Sequence, residues 1–342
     1  MVFISKNQKQ YKANLHSHST LSDGKLTPEE LVKFYEKEGY SILAITDHEY
    51  PCVHKNLSSD KFLLITGYEA YIRPSKICLY DKYSAEIHLN LIAKNPDNAG
   101  IVAYDPLYCK YMPLPKALMV PHYGEIGSRK FSVPYIQSFI NEANKAGYLV
   151  SLNHPCWSMQ ETAQLEHLDG LWSCEVFNTG SMVTSDYAEN MPVYDFLLRH
   201  GKKIFCHGAD DNHNKKPFGD LMCDSFKAWT MVMAESLSYT DVIAALEAGK
   251  FYASTGPQIT HLEIKKGLKN TVHIECTPAS RITMHMTPKF TKVVYDSDGK
   301  NVVEADFKIP DDAPYVYFSV TGAPEAGGGK AYTHAFYRED FT

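Results

Sequence analysis

Histidines and acids recur in this sequence as short, spaced pairs. His16-Ser17-His18, Thr46-Asp47-His48, Asn153-His154-Pro155 and Asp211-Asn212-His213 each place imidazole or carboxylate groups within three residues, and Asp23, Glu69 and His88 stand between them. Along a strand, residues i and i+2 point to the same side, so HxH and DxH each aim two ligands at one point. Imidazole with carboxylate and no thiolate suits zinc, iron or manganese. A catalytic zinc usually takes three protein ligands. His16, His18, Asp23, His48, Glu69, His88, His154, Asp211 and His213 are too many for one ion, and two or three divalent metal ions are expected.

The elements that must carry these residues follow from hydrophobic patterning. Short apolar runs at 11–16, 42–46, 62–66, 87–93, 148–153, 174–177 and 204–207 lie between turn and helix signals and read as buried parallel strands. Thr27-Pro28-Glu29-Glu30 is a capping box with proline at the first helical position. Further helices are expected over 134–146 and after Thr240-Asp241. Alternating strands and helices predict a parallel sheet with helices outside it. In a parallel barrel the C-terminal strand ends converge on one mouth, where active sites are found. That puts His16, His18, His48, Glu69, His154, Asp211 and His213 around one cleft, with Asp23 folding back from the Ser-Asp-Gly turn. Residues 95–133, rich in Pro, Tyr and Gly, break the rhythm and are expected to form a lid or binding loop. From about 256 the pattern changes to half-buried strands at 271–276, 281–286 and 315–320, with a turn at Ser297-Asp298-Gly299. The expected organisation is a metal-dependent domain over 1–255 and a small all-β module over 256–342.

NLHSHSTLSDG, AITDHE, the Gly-Tyr-Glu at 67–69, LNHP and GADDNH together resemble the motif series of the PHP family, named for polymerase and histidinol phosphatase. The likeness spans roughly residues 11–257. It implies an α/β fold, a distorted seven-stranded β/α barrel, with a trinuclear metal site and phosphoester hydrolysis. Carried over, His16, His18, Glu69 and Asp211 would hold the first metal. Glu69 would bridge to a second, held also by His88 and His154. Asp23, His48 and His213 would hold the third. Where the family often has aspartate two residues before the first histidine, this chain has Asn14, expected to support ligands rather than bind metal. Asp211 is preferred to its neighbour Asp210 because it alone forms DxH with His213.

Paired metals can activate a bound water and clamp the attacked phosphate. Further positive charge is expected on the phosphate oxygens, with Arg129 and Lys130 or Arg73 and Lys76 as candidates. His122 is a candidate general acid, since imidazole titrates near neutrality. Glu175 and Asn178, ending the sixth expected strand, and His207 are placed to orient ligands from behind.

The 342 residues carry 34 basic and 40 acidic side chains, a net charge of −6, which disfavours long nucleic acid as a partner. No apolar run approaches the roughly 20 residues that span a bilayer, and the four-residue apolar start is too short for a signal core. Eight cysteines without CxxC spacing read as buried free thiols. The expectation is a cytoplasmic metal-dependent phosphatase or phosphodiesterase acting on a small phosphorylated metabolite. Metal-dependent amide hydrolysis and a non-catalytic metal- or partner-binding role are the alternatives. The sequence does not set the oligomeric state.

Overall fold

The computed structural model describes residues 1–74, 84–187, 189–297 and 301–341. The fold is mixed α/β and is dominated by one large sheet. Its N-terminal strands are β1 (Val2–Ile4), β2 (Tyr11–Asn14), β3 (Ile42–Ile45), β4 (Leu63–Ile72) and β5 (Ile87–Ala93). A separate pair, β6 (Ile101–Val102) with β7 (His122–Tyr123), lies in the irregular insert. The sheet resumes with β8 (Tyr148–Leu152), β9 (Ser173–Asn178), β10 (Phe205–Ala209), β11 (Trp229–Val232) and β12 (Phe251–Ser254).

The neighbours β2–β3–β4 run parallel, as do β8–β9–β10. The expectation of parallel strands throughout fails at β5, which runs antiparallel to both β4 and β8. Beyond β10, Asp211 N donates to His16 O at 3.0 Å, His18 N donates to Asn212 O at 3.0 Å, and Ser17 bridges Asn212. These bonds bring the ends of β2 and β10 together.

Helices form where the end signals stand. The helix Pro28–Lys37 has the full capping box and buries Leu31 and Tyr35. The helix Val133–Lys145 buries Ile136, Phe139, Ile140 and Ala143, and Gly147 follows it at φ +85°. The helix Tyr239–Glu247 starts before the expected Thr240-Asp241 because Ser238 caps it, accepting from Asp241 N. Among the described residues, no helix is long and apolar enough to cross a membrane. Cys109, Cys174, Cys206, Cys223 and Cys276 are buried free thiols, while Cys52 and Cys156 are half-buried.

The C-terminal strands are β13 (Ile259–Lys265), β14 (Thr271–Thr287), β15 (Phe290–Tyr295), β16 (Val302–Lys308), β17 (Tyr315–Gly322), β18 (Lys330–Thr333) and β19 (Phe336–Tyr337). The two strands expected at 271–276 and 281–286 are one. β14 continues through Pro278 with register shifts there and passes from β16 to β17 as partner. Of the expected turn Ser297-Asp298-Gly299, the last two residues lie outside the described residues. These strands join the rest of the sheet through β1–β13 and β12–β18, around a core that includes Ile4, Tyr252, Ile274, Ile282 and Phe318.

Candidate metal centre

Strands and the turns that follow them deliver the nine candidate ligands to one place. His16 and His18 follow β2, and His48 follows β3. Glu69 lies inside β4, which runs six residues past the expected end and is buried throughout. His88 is the second residue of β5, which in a parallel strand would be the far end. Because β5 is antiparallel, His88 pairs with Tyr71 at the same mouth. His154 and Asp211 hold left-handed backbone, φ +23° and +52°. Non-glycine residues take such values mainly where the surroundings force them, often at functional sites.

The distances are those of a ligand cluster. His16 Nε2 and His18 Nε2 lie 3.2 Å apart, and each is 3.1 Å from Asp211 Oδ1. Both lie 3.4 Å from a Glu69 oxygen. Glu69 Oε1 also meets His88 Nδ1 at 3.0 Å and His154 Nε2 at 3.3 Å, and its Oε2 lies 2.9 Å from His48 Nδ1. Asp23 Oδ1 faces His213 Nε2 at 3.4 Å and His48 Nε2 at 3.7 Å. His18, Asp23, His48 and His213 form one group able to hold an ion. His16, His18 and Glu69, His16, His154 and Asp211, and His48, Glu69 and His88 form three more.

These donors fit divalent metal. Among the described residues, the buried atoms His48 Nδ1 and His88 Nε2 make no aligned hydrogen bond, although His88 Nε2 lies 3.1 Å from Glu86 Oε1. His48 Nδ1 is close to a Glu69 oxygen but not aligned for a hydrogen bond. Burial, then His213 and His48, push His18 down to about 4, which keeps its ring neutral near pH 7. Burial opposes charge on His88, yet Glu69 and Glu86 raise it to about 10. For His213, burial is likewise overcome by Asp23 and Asp211, which raise it to about 9. Burial pushes Glu69 and Asp211 up, but His16 and the other imidazoles hold both below the usual carboxylate range. Carboxylates this buried call for positive charge among them, which protonated imidazoles or metal ions can supply.

A hydrogen-bonded layer fixes the donors. Glu175 Oε1 faces His16 Nδ1 at 3.0 Å, while its Oε2 accepts from His154 N at 2.9 Å and from Asn178 Nδ2 at 2.7 Å. Asn178 Nδ2 also reaches Asp211 Oδ2 at 3.2 Å. With the His16 proton on Nδ1, its Nε2 lone pair faces the cluster. Replacing Glu175 with glutamine is expected to lower metal affinity or turnover by about 10–100-fold, as loss of such partners does. Metal titration of a folded variant checks this, and unchanged affinity and rate would remove the role.

Asn14 lies outside the cluster. Its Oδ1 accepts from Asp210 N at 2.9 Å and its Nδ2 contacts Tyr35 and Asn212, so it holds the last motif in place. Asp210 faces away, bonded to Tyr35 and Thr179 and to the backbone of Phe226, Lys227 and Ala228. His207 is buried against Trp172, with Nδ1 2.9 Å from Ser173 Oγ. Sequence reasoning missed Asn153, whose Nδ2 donates to Glu69 Oε1 at 2.9 Å, and Ser158, whose Oγ lies 3.0 Å from His154 Nδ1. Asn153 stands within LNHP itself and Ser158 three residues beyond it, the only signal for either. Gly180 also went unnoticed. A Cβ there would stand 2.9 Å from Asp211 O and 3.3 Å from its Oδ2.

Among the described residues, none of the expected phosphate-binding cations lines the cleft over the cluster. Arg129 is buried in a two-pronged ion pair with Glu49 and donates to the carbonyls of Tyr71, Val102 and Ala103. Its guanidinium is consumed, which corrects its reading as a substrate ligand. Lys130 is exposed and outside the cleft lining. Arg73 lies over Tyr71 and Tyr108, also outside the lining. Lys76 lies outside the described residues. His122 is exposed on β7, its ring 6.1 Å from Tyr104, and is not among the described residues that line the cleft. Instead, the cleft of about 420 Å³ over the cluster carries Lys215 and Lys216, from the loop after the last motif. Of the tyrosines in the irregular insert, Tyr111 reaches the centre, stacking on His48 at 6.4 Å.

Residues 14–103 match the family model of the PHP domain, bearing out the resemblance carried by the motifs in that stretch. No curated protein sequence matches the chain. Among solved structures, a two-domain protein from Bacteroides vulgatus, described as containing a predicted PHP-like metal-dependent phosphoesterase, is 16% identical. The match covers 97% of this chain and 96% of that one, at a TM-score of 0.44. A Bifidobacterium adolescentis protein described only as a predicted metal-dependent phosphoesterase is 16% identical over 62% of this chain and 92% of that one, TM-score 0.38. An amidohydrolase from Chromobacterium violaceum is 15% identical over 59% and 87%, TM-score 0.37.

Proposed function

We propose that this chain is a metal-dependent phosphoesterase that hydrolyses a small phosphorylated metabolite at a trinuclear centre. The observation that carries the reading is the convergence of His16 Nε2 and His18 Nε2 on Asp211 Oδ1, each at 3.1 Å, beside buried Glu69. In this reading His16, His18, Glu69 and Asp211 hold one ion, Glu69, His88 and His154 a second, and Asp23, His48 and His213 a third. Zinc, manganese and iron all suit these donors. When bound, such ions polarise phosphoryl oxygens and make a water acidic enough to attack near neutral pH. The protein's own part is to fix the ligands through Glu175, Asn178 and Asn153 and to orient the ester in the cleft. The strand order from β2 to β10, with the Ser17–Asn212 bridge, supports a distorted seven-stranded barrel over residues 1–255, followed by a β module. The net charge of −6 favours a small substrate over long nucleic acid.

The test is phosphate release from a panel of phosphomonoesters and diesters, with Mn²⁺-loaded wild type beside Asp211→Ala. Release by wild type alone is expected. No release from either protein, with metal shown to be bound, would move the reading to amide hydrolysis or a non-catalytic role.

A further inference from the structure

Trp157 is 38% exposed, although tryptophan is usually well covered. Its indole is nonetheless tightly placed. It meets the ring of His154 edge-on at 5.0 Å and 82°, and the ring of His88 at 5.8 Å and 75°. An open aromatic surface is thus fixed beside two candidate metal ligands, at the wall of the cleft. Val183 and Met222, the latter 47% exposed, line the same cleft. Lys215 and Lys216 bring positive charge to the lining, while Asp224 beside them accepts from His213 N and Asn214 N. Lys215 Nζ is 3.9 Å from Asp23 Oδ2, a loose pairing, and Lys216 has no carboxylate partner among the described residues. Apolar surface with a few convergent polar groups is how small-molecule sites select their ligands.

From these features, and resting on the phosphoesterase reading, we infer that the cleft selects a phosphate ester with a planar, aromatic organic group and a second anionic group. The ring packs on Trp157, with Val183 and Met222 as further apolar contacts. The second anion meets Lys215 and Lys216, since lysine serves as a point charge for such groups. A short aliphatic ester such as glycerol phosphate leaves the Trp157 surface uncovered.

Benzyl phosphate, 4-carboxybenzyl phosphate and glycerol 3-phosphate test this on the metal-loaded full chain, because all three release an alkoxide. The expected order of kcat/KM is 4-carboxybenzyl, then benzyl, then glycerol. Trp157→Ala is expected to lower the benzyl-to-glycerol ratio by about tenfold, the scale of losing one aromatic stack. Lys215→Gln with Lys216→Gln is expected to remove the advantage of the carboxylate while leaving benzyl selectivity over glycerol in place. Metal content is measured for each variant, so that a damaged centre is recognised. Binding of benzylphosphonate, which has no ester bond to cleave, is followed in parallel by tryptophan fluorescence. Equal kcat/KM for the three esters, or unchanged ratios in the variants, overturns the aromatic-anion inference and leaves the phosphoesterase reading standing. No phosphate from any ester, together with no phosphonate binding, overturns both.

Discussion

Replacing Glu69 with glutamine is expected to lower phosphate release by about 10³-fold and to reduce the bound metal. The side chain is 1% exposed, and five imidazoles crowd its two oxygens at 2.9–3.4 Å. An amide of the same shape carries no charge and turns one of those oxygens into a donor facing imidazole nitrogens. The charge stabilisation that a metal supplies in such reactions is worth several kcal/mol, and each 1.36 kcal/mol is tenfold in rate. Because Glu69 is proposed to touch two ions, its loss should exceed that of Glu175, which acts through His16. Elemental analysis of metal beside steady-state rates checks this. Full metal occupancy with a wild-type rate would place the bridging ligand elsewhere. A thermal melt close to wild type is needed to exclude collapse of β4.

The centre was legible in the sequence because its strongest signals are local. HxH and DxH need only the strand period to become paired ligands, and the motifs at 16–18, 46–48 and 211–213 each follow an apolar run. The direction of β5 was not legible. A buried apolar run looks the same whether its neighbours are parallel or antiparallel, so His88 was placed by family resemblance and not by strand geometry. Arg129 shows the other limit. GSRK reads as a solvated loop or an anion site, and its partner Glu49 is 80 residues earlier, beside the metal motif. No local pattern announces such a pair. Lys215 and Lys216 were overlooked although they adjoin GADDNH, because adjacent lysines usually mark a solvated turn. Only the fold shows that the turn borders the cleft. The continuous β14 was missed for a similar reason. Pro278 reads as a strand break, and proline is tolerated here where the register shifts and the partner strand changes.

Arg129→Ala is expected to destabilise the fold by about 3–5 kcal/mol, because it strands the buried Glu49 carboxylate without its counter-charge. Both side chains are fully buried. The guanidinium also satisfies the carbonyls of Tyr71 at 2.9 Å, Ala103 at 3.2 Å and Val102 at 3.3 Å, so its removal leaves three backbone acceptors short of a donor. It lies over the Tyr108 ring at 4.7 Å, and this contact is lost as well. At a few degrees per kcal/mol, the melting temperature should fall by on the order of 10 °C. Joint replacement, Glu49→Gln with Arg129→Met, removes both charges and is expected to recover part of that loss, since the cost lies mainly in the unpaired charge. This pair ties Tyr71, at the end of β4, to the irregular insert, so the lost order spreads across one side of the centre. A substrate-binding role makes the opposite prediction: KM rises while the melting temperature holds. Thermal melts and KM measured well below the transition separate the two. A large drop in melting temperature with wild-type KM in the folded variant identifies Arg129 as the residue that holds the insert against the strands of the centre.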